Sequence, residues 1–295
     1  MHISTNSPAR SAVVFGASGQ IGAALLQRLL AAGWQVHAVS RQARQDTAAL
    51  QWLQGDLDNP PPLPARPDVV FSCGPLDAFA RWYQRHALVG VRVIAFSSTS
   101  VLVKHTSPDP AERDLAARLA SAEHAVFAHA RDQQADATIL WPTLVWGAGM
   151  DRSLSRIAAL ARHWGWFVLP RSAQGARQPV HVDDLAAAAL AVLDCRAAHG
   201  QSYALAGGQV LSYWQMVQRI LLALPRRPRL LPVPDWLFRA LVVLARRSGL
   251  LHGFGPAVQA RMAQDLVFDI EPARCDFGYA PRGFSPTPAE LGLTQ

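Results

Sequence analysis

Apolar and polar positions in the first 41 residues alternate in blocks, and these blocks predict one β-α-β unit. Residues 12–15 form a short apolar run that is typical of a buried parallel strand. After a turn with three glycines, residues 21–32 are rich in Ala and Leu without an internal breaker, which predicts a helix. Gly33 ends this helix, and residues 34–39 again have the composition of a strand.

The same alternation of strand-like and helix-like segments continues through most of the chain. Further strands are predicted at residues 68–74, 91–96, 138–147 and 202–208. Helices are predicted at 76–90, 110–130, 154–164, 185–193, 213–224, 236–248 and 256–265, with Asp183 or Asp184, Ser212 and Asp235 as N-caps. Alternating strands and helices predict an α/β fold built on a parallel sheet.

The turn after the first strand carries Gly16, Gly19 and Gly22 in the pattern G-x-x-G-x-x-G. Such a turn lets the chain leave the strand tightly, lets a pyrophosphate approach the backbone, and lets the helix pack on the sheet. Backbone N–H groups at the helix start then face the phosphates, where the helix dipole favours negative charge. We interpret this turn, which includes Ser18, Gln20 and Ile21, as a dinucleotide site. A purely structural turn is the alternative.

The spacing of this turn, GASGQIG, resembles that of the extended short-chain dehydrogenase/reductase superfamily, the NAD-dependent epimerases and dehydratases. Three later segments support the resemblance: TILWPTLVWG at 138–147, RQPVHVDDL at 177–185 and CDFGYAP at 275–281. The resemblance implies a Rossmann-type doubly wound parallel sheet with a smaller C-terminal substrate lobe. Residues 1–146 and 177–207 would form the dinucleotide-binding core, and 147–176 and 208–295 the lobe, interleaved as one structural unit.

The residues after the second strand bear on the choice of cofactor. NAD-binding folds usually place an acid there, whereas this chain has Arg41 and Arg44, which suit the 2′-phosphate of NADP. We therefore expect NADP, with NAD as second choice; a solvated loop in an arginine-rich protein is the competing interpretation. By resemblance, six further residues contact the cofactor: Asp56 and Leu57 at the adenine, Cys73 and Gly74 at the fourth strand, and Pro142 and Thr143 along the nicotinamide.

One landmark of the family is missing. Its catalytic tyrosine, with a lysine four residues later, would fall by resemblance on Leu115 and Leu119, and no tyrosine of this chain has a lysine at that spacing. Ser98 and Thr99 lie at the carboxyl end of the strand at 91–96, where ligands of parallel sheets bind. We expect one of them to hold the reacting oxygen. Lys104 and His105 follow as candidate proton donors. Strand-end capping and a solvated loop are the competing interpretations.

Substrate contacts are predicted in the second half of the chain. Arg177 opens the RQPVHVDDL segment, and its place in the family implies a contact with the substrate, often a diphosphate. His181 is a second candidate, with packing in a strand as the alternative. Trp146 is a third, because it and three other tryptophans make an apolar or aromatic substrate as plausible as a sugar nucleotide.

Composition excludes several classes of protein. Half of the 295 residues are hydrophobic and 17% are charged, which is sufficient for a full core. Three widely separated cysteines predict a reduced compartment without a disulfide framework or a zinc site. The net charge of +7 comes from scattered arginines, so a nucleic-acid partner is not predicted, while weak attraction to anionic surfaces stays open.

The N-terminal residues contain no apolar signal segment, and the expectation is a cytoplasmic protein. The apolar helix at 236–248 is too short and too charged to span a bilayer. It is expected to act as a lid or core helix rather than to lie on a membrane or a partner. Pairing of two copies through the helices near Leu76 and Glu112 is common in the family, so a homodimer is an expectation.

Two functions remain open from the sequence. The first is an atypical NAD(P)-dependent oxidoreductase, epimerase or dehydratase that acts on a sugar nucleotide or on an apolar carbonyl or hydroxyl compound. The second is a non-catalytic NADP-binding redox sensor or accessory subunit, which the missing tyrosine and lysine favour.

Overall fold

The computed structural model describes residues 10–64, 66–151, 153–247 and 256–293, except for the side chains of 245–247 and 256–258. The described part of the chain does not include residues 1–9 or the last two residues, which belong to the predicted domains. It also does not include Ser248, the last residue of the predicted helix at 236–248. Within the described residues, no helix is both long enough and apolar enough to cross a membrane.

Strands and helices alternate as the sequence pattern predicts. The strands are β1 (Ser11–Phe15), β2 (Gln35–Ser40), β3 (Leu50–Gln54), β4 (Val69–Ser72), β5 (Arg92–Phe96), β6 (Ala137–Pro142), β7 (Val145–Trp146), β8 (Trp166–Pro170), β9 (Ala176–Arg177), β10 (Val180–His181), β11 (Gln201–Leu205), β12 (Leu211–Ser212) and β13 (Arg229–Val233). The helices are α1 (Gln20–Ala31), α2 (Leu76–Tyr83), α3 (Ser100–Val103), α4 (Pro110–Asp132), α5 (Leu154–Trp164), α6 (Val182–Ala191), α7 (Tyr213–Ala223), α8 (Asp235–Arg247), α9 (Pro256–Arg261) and α10 (Glu271–Phe277).

Seven parallel strands form the central sheet in the order β11-β6-β5-β4-β1-β2-β3. This order reverses between β1 and β4, and ligands of doubly wound sheets bind at that switch point, beyond the carboxyl ends of the strands. The predicted α/β fold with a Rossmann-type sheet is therefore confirmed. The edge strand β3, whose exposed and half-buried residues give no strong pattern, was not among the sequence predictions.

Helices cover both faces of the sheet. On one face α1 and α6 pack together over a core that includes Leu25, Leu29 and Leu185. On the other face α2 and α4 pack over Phe79, Trp82 and other buried residues. Because both faces are covered, the central strands are apolar on both sides, as in β1, where residues 12–14 are fully buried.

A third group of buried residues lies outside the sheet and joins α5, β8, α7, β13 and α8, which we call the small lobe. β8 and β13 pair in parallel, and α8 packs against β8. The predicted helix at 154–164 is confirmed, and Ser212 caps α7 through a reciprocal pair of hydrogen bonds with Gln215, also as predicted. The division of the chain into two interleaved domains stays a prediction.

Two predicted helices are shorter than expected. α2 ends at Tyr83 instead of residue 90, where His86 folds back so that its Nδ1 lies 2.7 Å from the carbonyl oxygen of Trp82. α9 ends at Arg261 instead of residue 265, because the carbonyl of Arg261 accepts a hydrogen bond from the Arg177 guanidinium. The contact at the end of α9 joins residues 84 positions apart, so the local sequence pattern does not contain it.

The predicted cap of α6 was wrong. His181, and not Asp183 or Asp184, precedes the helix, and its Nδ1 accepts a hydrogen bond from the backbone N–H of Asp183. Asp183 instead binds Arg28 and Arg282, and Asp184 also accepts from Arg282. The bond from Arg28, together with that from Arg282, outweighs burial and lowers the pKa of Asp183 to about 2. Asp235 also differs from its prediction, since it is the first residue of α8.

Candidate active site

The glycine turn connects β1 to α1 and lies against the end of β4. Gly16 has a φ of +70°, and a Cβ there would lie 2.8 Å from the backbone of Cys73 and Gly74. A Cβ on Gly22 would lie 2.2 Å from the carbonyl oxygen of Gly16. Glycine is therefore required at positions 16 and 22 by the packing of the turn itself.

Gly19 differs from the other two glycines because it faces open space. A Cβ there would meet only the Gly16 carbonyl oxygen, at 3.2 Å, and the φ of −77° is one that any residue adopts. Gly19 is the N-cap of α1, which has no side-chain cap and no acid in its first turn. An anion would fit at this helix start, where the free N–H groups and the helix dipole favour negative charge.

Gln20 adds a polar group to the same helix start. Its side-chain oxygen is buried and has no partner among the described residues. Ser18 and Ile21 are half-buried beside it. The turn thus combines open backbone with an unpaired buried oxygen, and these features fit a dinucleotide.

Three further residues predicted to contact the cofactor lie next to the turn. Cys73 and Gly74 follow β4 and touch Gly16, and Leu57 lies against Gly74. Burial raises the pKa of the Cys73 thiol to about 12, so this cysteine is a poor nucleophile near neutral pH. Asp56 uses one carboxylate oxygen to hold its own turn, accepting from the N–H groups of Asp58 and Asn59.

Arg41 and Arg44 lie just beyond the carboxyl end of β2, and both are exposed. The guanidinium of Arg44 lies 4.9 Å from the centre of the Trp52 ring, a cation–π distance. No ion-pair partner of Arg41 is found among the described residues. Arg41 is therefore the better placed of the two to receive an added phosphate.

Residues 97–100, which we call the serine-rich edge, follow β5 and contact the end of β6. Thr99 is buried and donates through Oγ1 to the carbonyl oxygen of Pro142, at 3.2 Å. Ser98 is half-buried, and its Oγ lies 3.1 Å from the Oγ of Ser100. Thr143 donates to the carbonyl oxygen of Gln178 at 2.5 Å. Of the hydroxyls of Ser98, Thr99 and Thr143, that of Ser98 is the one without a main-chain acceptor among the described residues.

Glu123 lies behind this edge on α4. Its Oε1 accepts hydrogen bonds from Ser97, at 2.6 Å, and from the indole N–H of Trp141, at 2.8 Å. Burial raises the pKa of Glu123, and the two hydrogen bonds oppose this effect only in part. The carboxyl group therefore ties α4 to the ends of both strands.

Lys104 is held by an acid that the sequence analysis did not assign to the site. Its Nζ lies 3.6 Å from Oε1 of Glu112, the same oxygen that binds the guanidinium of Arg261 from α9. Burial opposes ionisation of Glu112, but the Ser107 hydroxyl, Arg261 and Lys104 together lower its pKa. His105 is exposed. The structure thus brings Lys104 together with Glu112 and Arg261, and leaves His105 in solvent.

Leu115 and Leu119 are half-buried on α4, and Leu115 follows Glu112 by three residues, so both lie on one helix face. The ion pair of Glu112 with Lys104, the one lysine of the sequence, therefore lies one helical turn from Leu115. Glu112 and Arg261 were missed because 149 positions separate them in sequence. The one signal in the sequence was an acid in the first turn of a predicted helix.

The three predicted substrate contacts are all largely buried. Trp146 is 2% exposed and packs edge-on against His181 and Phe284. Because Nδ1 of His181 accepts from Asp183, its Nε2 carries the proton and donates to Glu290 at 3.2 Å. Burial, with the charge of Arg282, lowers the pKa of His181. These two residues join β7 and β10 to the small lobe.

Arg177 is 6% exposed, and its guanidinium donates to three main-chain carbonyls, those of Ala176, Arg261 and Gln264. It also lies 5.3 Å from the centre of the Tyr213 ring. Burial lowers the pKa of this arginine. Its donors are used to hold α9, and the predicted contact with substrate stays a prediction.

The sheet order and the glycine turn define a Rossmann-type dinucleotide-binding protein. The chain belongs to the NAD-dependent epimerase/dehydratase family, whose model matches residues 12–89 and 82–206. The resemblance inferred from the sequence is therefore confirmed, and membership of the family supports the NAD-dependent oxidoreductase, the first of the two functions that the sequence leaves open.

Two curated relatives are enzymes with different substrates. A 2-alkyl-3-oxoalkanoate reductase of Stenotrophomonas maltophilia is 26% identical, over 92% of this chain and 94% of its own length. A UDP-glucose 4-epimerase of Vibrio cholerae is 24% identical, over 58% of this chain and 49% of its own. Among solved structures, UDP-glucuronic acid 4-epimerase of Bacillus cereus in complex with NAD has a TM-score of 0.68 at 15% identity, with 96% of each chain covered.

Proposed function

We propose that this protein is an NADP-preferring oxidoreductase that reduces a carbonyl, or oxidises the corresponding hydroxyl, on a substrate with large apolar groups. The observation that carries the proposal is how the guanidinium of Arg177 is hydrogen-bonded. Its donors bind three main-chain carbonyls, and it is buried, so no free guanidinium is offered to a diphosphate at this position. A sugar nucleotide would need that charge, because a buried phosphate without a paired cation is costly.

Apolar residues on α3 and α4 support the same substrate class. Leu115 and Leu119 are half-buried on α4, and Leu102 is 39% exposed on α3. Pockets for apolar ligands are lined by such side chains, with few polar groups to orient the ligand. The relative that matches nearly the whole chain is named for a 3-oxo acid with an alkyl branch, and the epimerase matches only 58% of it.

The cofactor would be held by the glycine turn and by Arg41. The open backbone at Gly19 and the uncapped start of α1 receive the pyrophosphate, and exposed Arg41 receives the 2′-phosphate of NADP. When bound in reduced form, this cofactor supplies a hydride to carbonyl carbon. The preference for NADP over NAD rests on Arg41 and is part of the proposal.

The proton would come from this chain's own residues. Ser98 donates a hydrogen bond to the substrate oxygen, because its hydroxyl has no main-chain acceptor among the described residues. Lys104, at the end of α3, provides the proton and is replenished from solvent. Glu112 positions Lys104, because its Oε1 lies 3.6 Å from the Lys104 Nζ.

The test is a kinetic comparison with a 2-alkyl-3-oxo acid as substrate and NADPH as reductant. Ser98→Ala and Lys104→Met should each lower kcat by about 10²-fold or more, since positioned proton transfer contributes about 10²–10⁴-fold. Lys104→Arg keeps the charge facing Glu112 but cannot release a proton, so it should be nearly as slow. Ser121→Ala, on the exposed side of α4, is the matched control.

Full activity of Lys104→Arg would contradict the role of Lys104 as proton donor. Turnover of UDP-glucose, with none of the 3-oxo acid, would overturn the proposed substrate class. The absence of a Tyr-x-x-x-Lys pair favours one second candidate, a dinucleotide-binding sensor. Tight NADPH binding without turnover of any compound in a carbonyl panel would favour that candidate.

A further inference from the structure

The small lobe exposes tryptophan side chains to solvent. Three of the nine tryptophans of the chain are exposed: Trp164 at 51%, Trp166 at 44% and Trp236 at 70%. The rings of Trp164 and Trp166 are 6.1 Å apart, and Trp166 begins β8 beside Arg229 of β13. Trp164 ends α5, Trp166 begins β8, and Trp236 lies in α8, which packs against β8. Exposed tryptophans on neighbouring elements are typical of an interface.

Helix α8 is apolar on the side away from the core as well as on the side that faces it. Phe238 is buried, whereas Trp236, Val243 and Leu244 are exposed, the last at 66%. Positions 236, 243 and 244 are spaced i, i+7 and i+8, so they lie on one face of the helix. A surface helix normally carries polar residues there. The outer face of α8 is therefore built to contact an apolar partner.

The charge of the same region is strongly positive. Residues 208–264 contain eight arginines and a single acid, Asp235, a net +7 that equals the formal charge of the whole chain. Arg226, Arg227 and Arg229 are exposed on the loop and strand that lead into α8, and Arg239 is exposed on α8 itself.

We propose that the outer face of α8, together with Trp164, Trp166 and the arginines of 226–229, is a docking surface for an anionic lipid bilayer. An apolar helix face with tryptophans seats in the acyl boundary, while arginines beside it meet anionic headgroups. Pairing with a second copy is disfavoured by charge. A two-fold interface would bring this patch against itself, with arginines facing arginines. The proposal is independent of the substrate class.

The test is co-sedimentation of the full chain with vesicles of phosphatidylcholine alone, and with vesicles that also contain phosphatidylglycerol. Binding is expected to the anionic vesicles, with a blue shift of tryptophan fluorescence and weakening as salt shortens the screening length from about 10 Å to 3 Å. The triple variant Arg226→Gln/Arg227→Gln/Arg229→Gln should bind roughly 100-fold less tightly, at about fivefold per arginine. The double variant Val243→Ser/Leu244→Ser should lose the blue shift.

Matched controls remove the same charge and a similar number of exposed apolar side chains elsewhere. The triple variant Arg85→Gln/Arg131→Gln/Arg196→Gln removes three exposed arginines outside the small lobe, and Val89→Ser/Val267→Ser removes two exposed valines. Both controls should bind like the unaltered protein. Equal binding to both vesicle types, or equal losses in the two arginine triples, would overturn the proposal. So would a dimer in vesicle-free solution that Val243→Ser/Leu244→Ser abolishes.

Discussion

Substitution of single glycines in the β1–α1 turn separates cofactor binding from folding. Gly19→Ala adds a methyl group whose only close neighbour is the Gly16 carbonyl oxygen at 3.2 Å, at a φ of −77° that alanine adopts freely. Reduced freedom of the unfolded chain stabilises such a variant by about 0.4–1 kcal/mol. Loss of a favoured N-cap residue and the tight contact offset this gain. The free energy of unfolding should therefore change by less than about 1 kcal/mol.

Cofactor binding by Gly19→Ala should fall much more. The added methyl group occupies the space in which a pyrophosphate approaches the backbone, and we expect Kd for NADPH to rise by about 100-fold, or ~2.7 kcal/mol. With NADPH at 100 times the unaltered protein's Kd, that protein gains about 2.7 kcal/mol of stability. The variant, with ligand only equal to its Kd, gains about 0.4 kcal/mol.

Gly22→Ala and Gly33→Ala complete the comparison. A Cβ at Gly22 would lie 2.2 Å from the Gly16 carbonyl oxygen, so this variant should lose about 1–3 kcal/mol of stability even without ligand. Gly33 has no atom within 4 Å of an added Cβ but has a φ of +78°. Alanine at position 33 should therefore cost about 1 kcal/mol while NADPH binds unchanged.

The assay is thermal unfolding of the unaltered protein and the three variants, each with and without NADPH at one fixed concentration. One kcal/mol corresponds to roughly 2–4 °C in a chain somewhat smaller than this one. Gly19→Ala should melt near the unaltered protein without ligand and lose most of the ligand-induced shift. Retention of the full shift by Gly19→Ala would refute the assignment of the pyrophosphate to this turn.

Three further predictions concern charged side chains. Arg41→Ala should weaken NADPH binding by about 10- to 100-fold and leave NADH binding unchanged, which a fluorescence titration with each nucleotide measures; equal losses for both would contradict a 2′-phosphate contact. Glu112→Gln leaves Lys104 and Arg261 without their shared acid and should lower stability by about 2 kcal/mol near neutral pH. The pKa of Glu112 is lowered in the folded protein, so the ionised carboxylate stabilises the fold above its unfolded-state pKa, and this stabilisation is lost as the pH falls. The difference in thermal stability between the unaltered protein and Glu112→Gln should therefore shrink in acid. The pKa of Glu123 is raised in the folded protein, so its protonated form stabilises the fold below the unfolded-state pKa. This stabilisation is lost as the pH rises through the folded-state pKa. The stability of the unaltered protein relative to Glu123→Gln should therefore fall over that range.

The sequence predicts the sheet and the glycine turn because their signals are local. Buried strands are apolar runs, and the roles of Gly16, Gly19 and Gly22 follow from residues within one turn of each other. Strand β3 has no such signal, since its half-buried edge position requires no apolar run. The cap of α6 was assigned wrongly because aspartates are the usual caps, whereas here tertiary contacts with Arg28 and Arg282 take up Asp183.

The cluster of Lys104, Glu112 and Arg261 could not be predicted from sequence for a different reason. Glu112 and Arg261 meet because α9 of the C-terminal part packs near the start of α4, and neither residue lies in a motif. The role of Arg177 also depends on distant atoms, the carbonyls of residues 261 and 264. The family pattern predicts a substrate contact for Arg177, whereas its bonds to these distant carbonyls are visible only in the structure.

The most direct test of the central claim, that this fold moves a hydride without the Tyr-x-x-x-Lys pair, is isotope transfer. The unaltered protein is incubated with NADPH deuterated at the transferable position and with a 2-alkyl-3-oxo acid, and the products are examined by mass spectrometry. We predict deuterium on the new hydroxyl-bearing carbon, with Lys104→Arg greatly slowing its appearance. Tight NADPH binding, with no deuterium in any product across the pH range in which the protein is folded, would contradict the account.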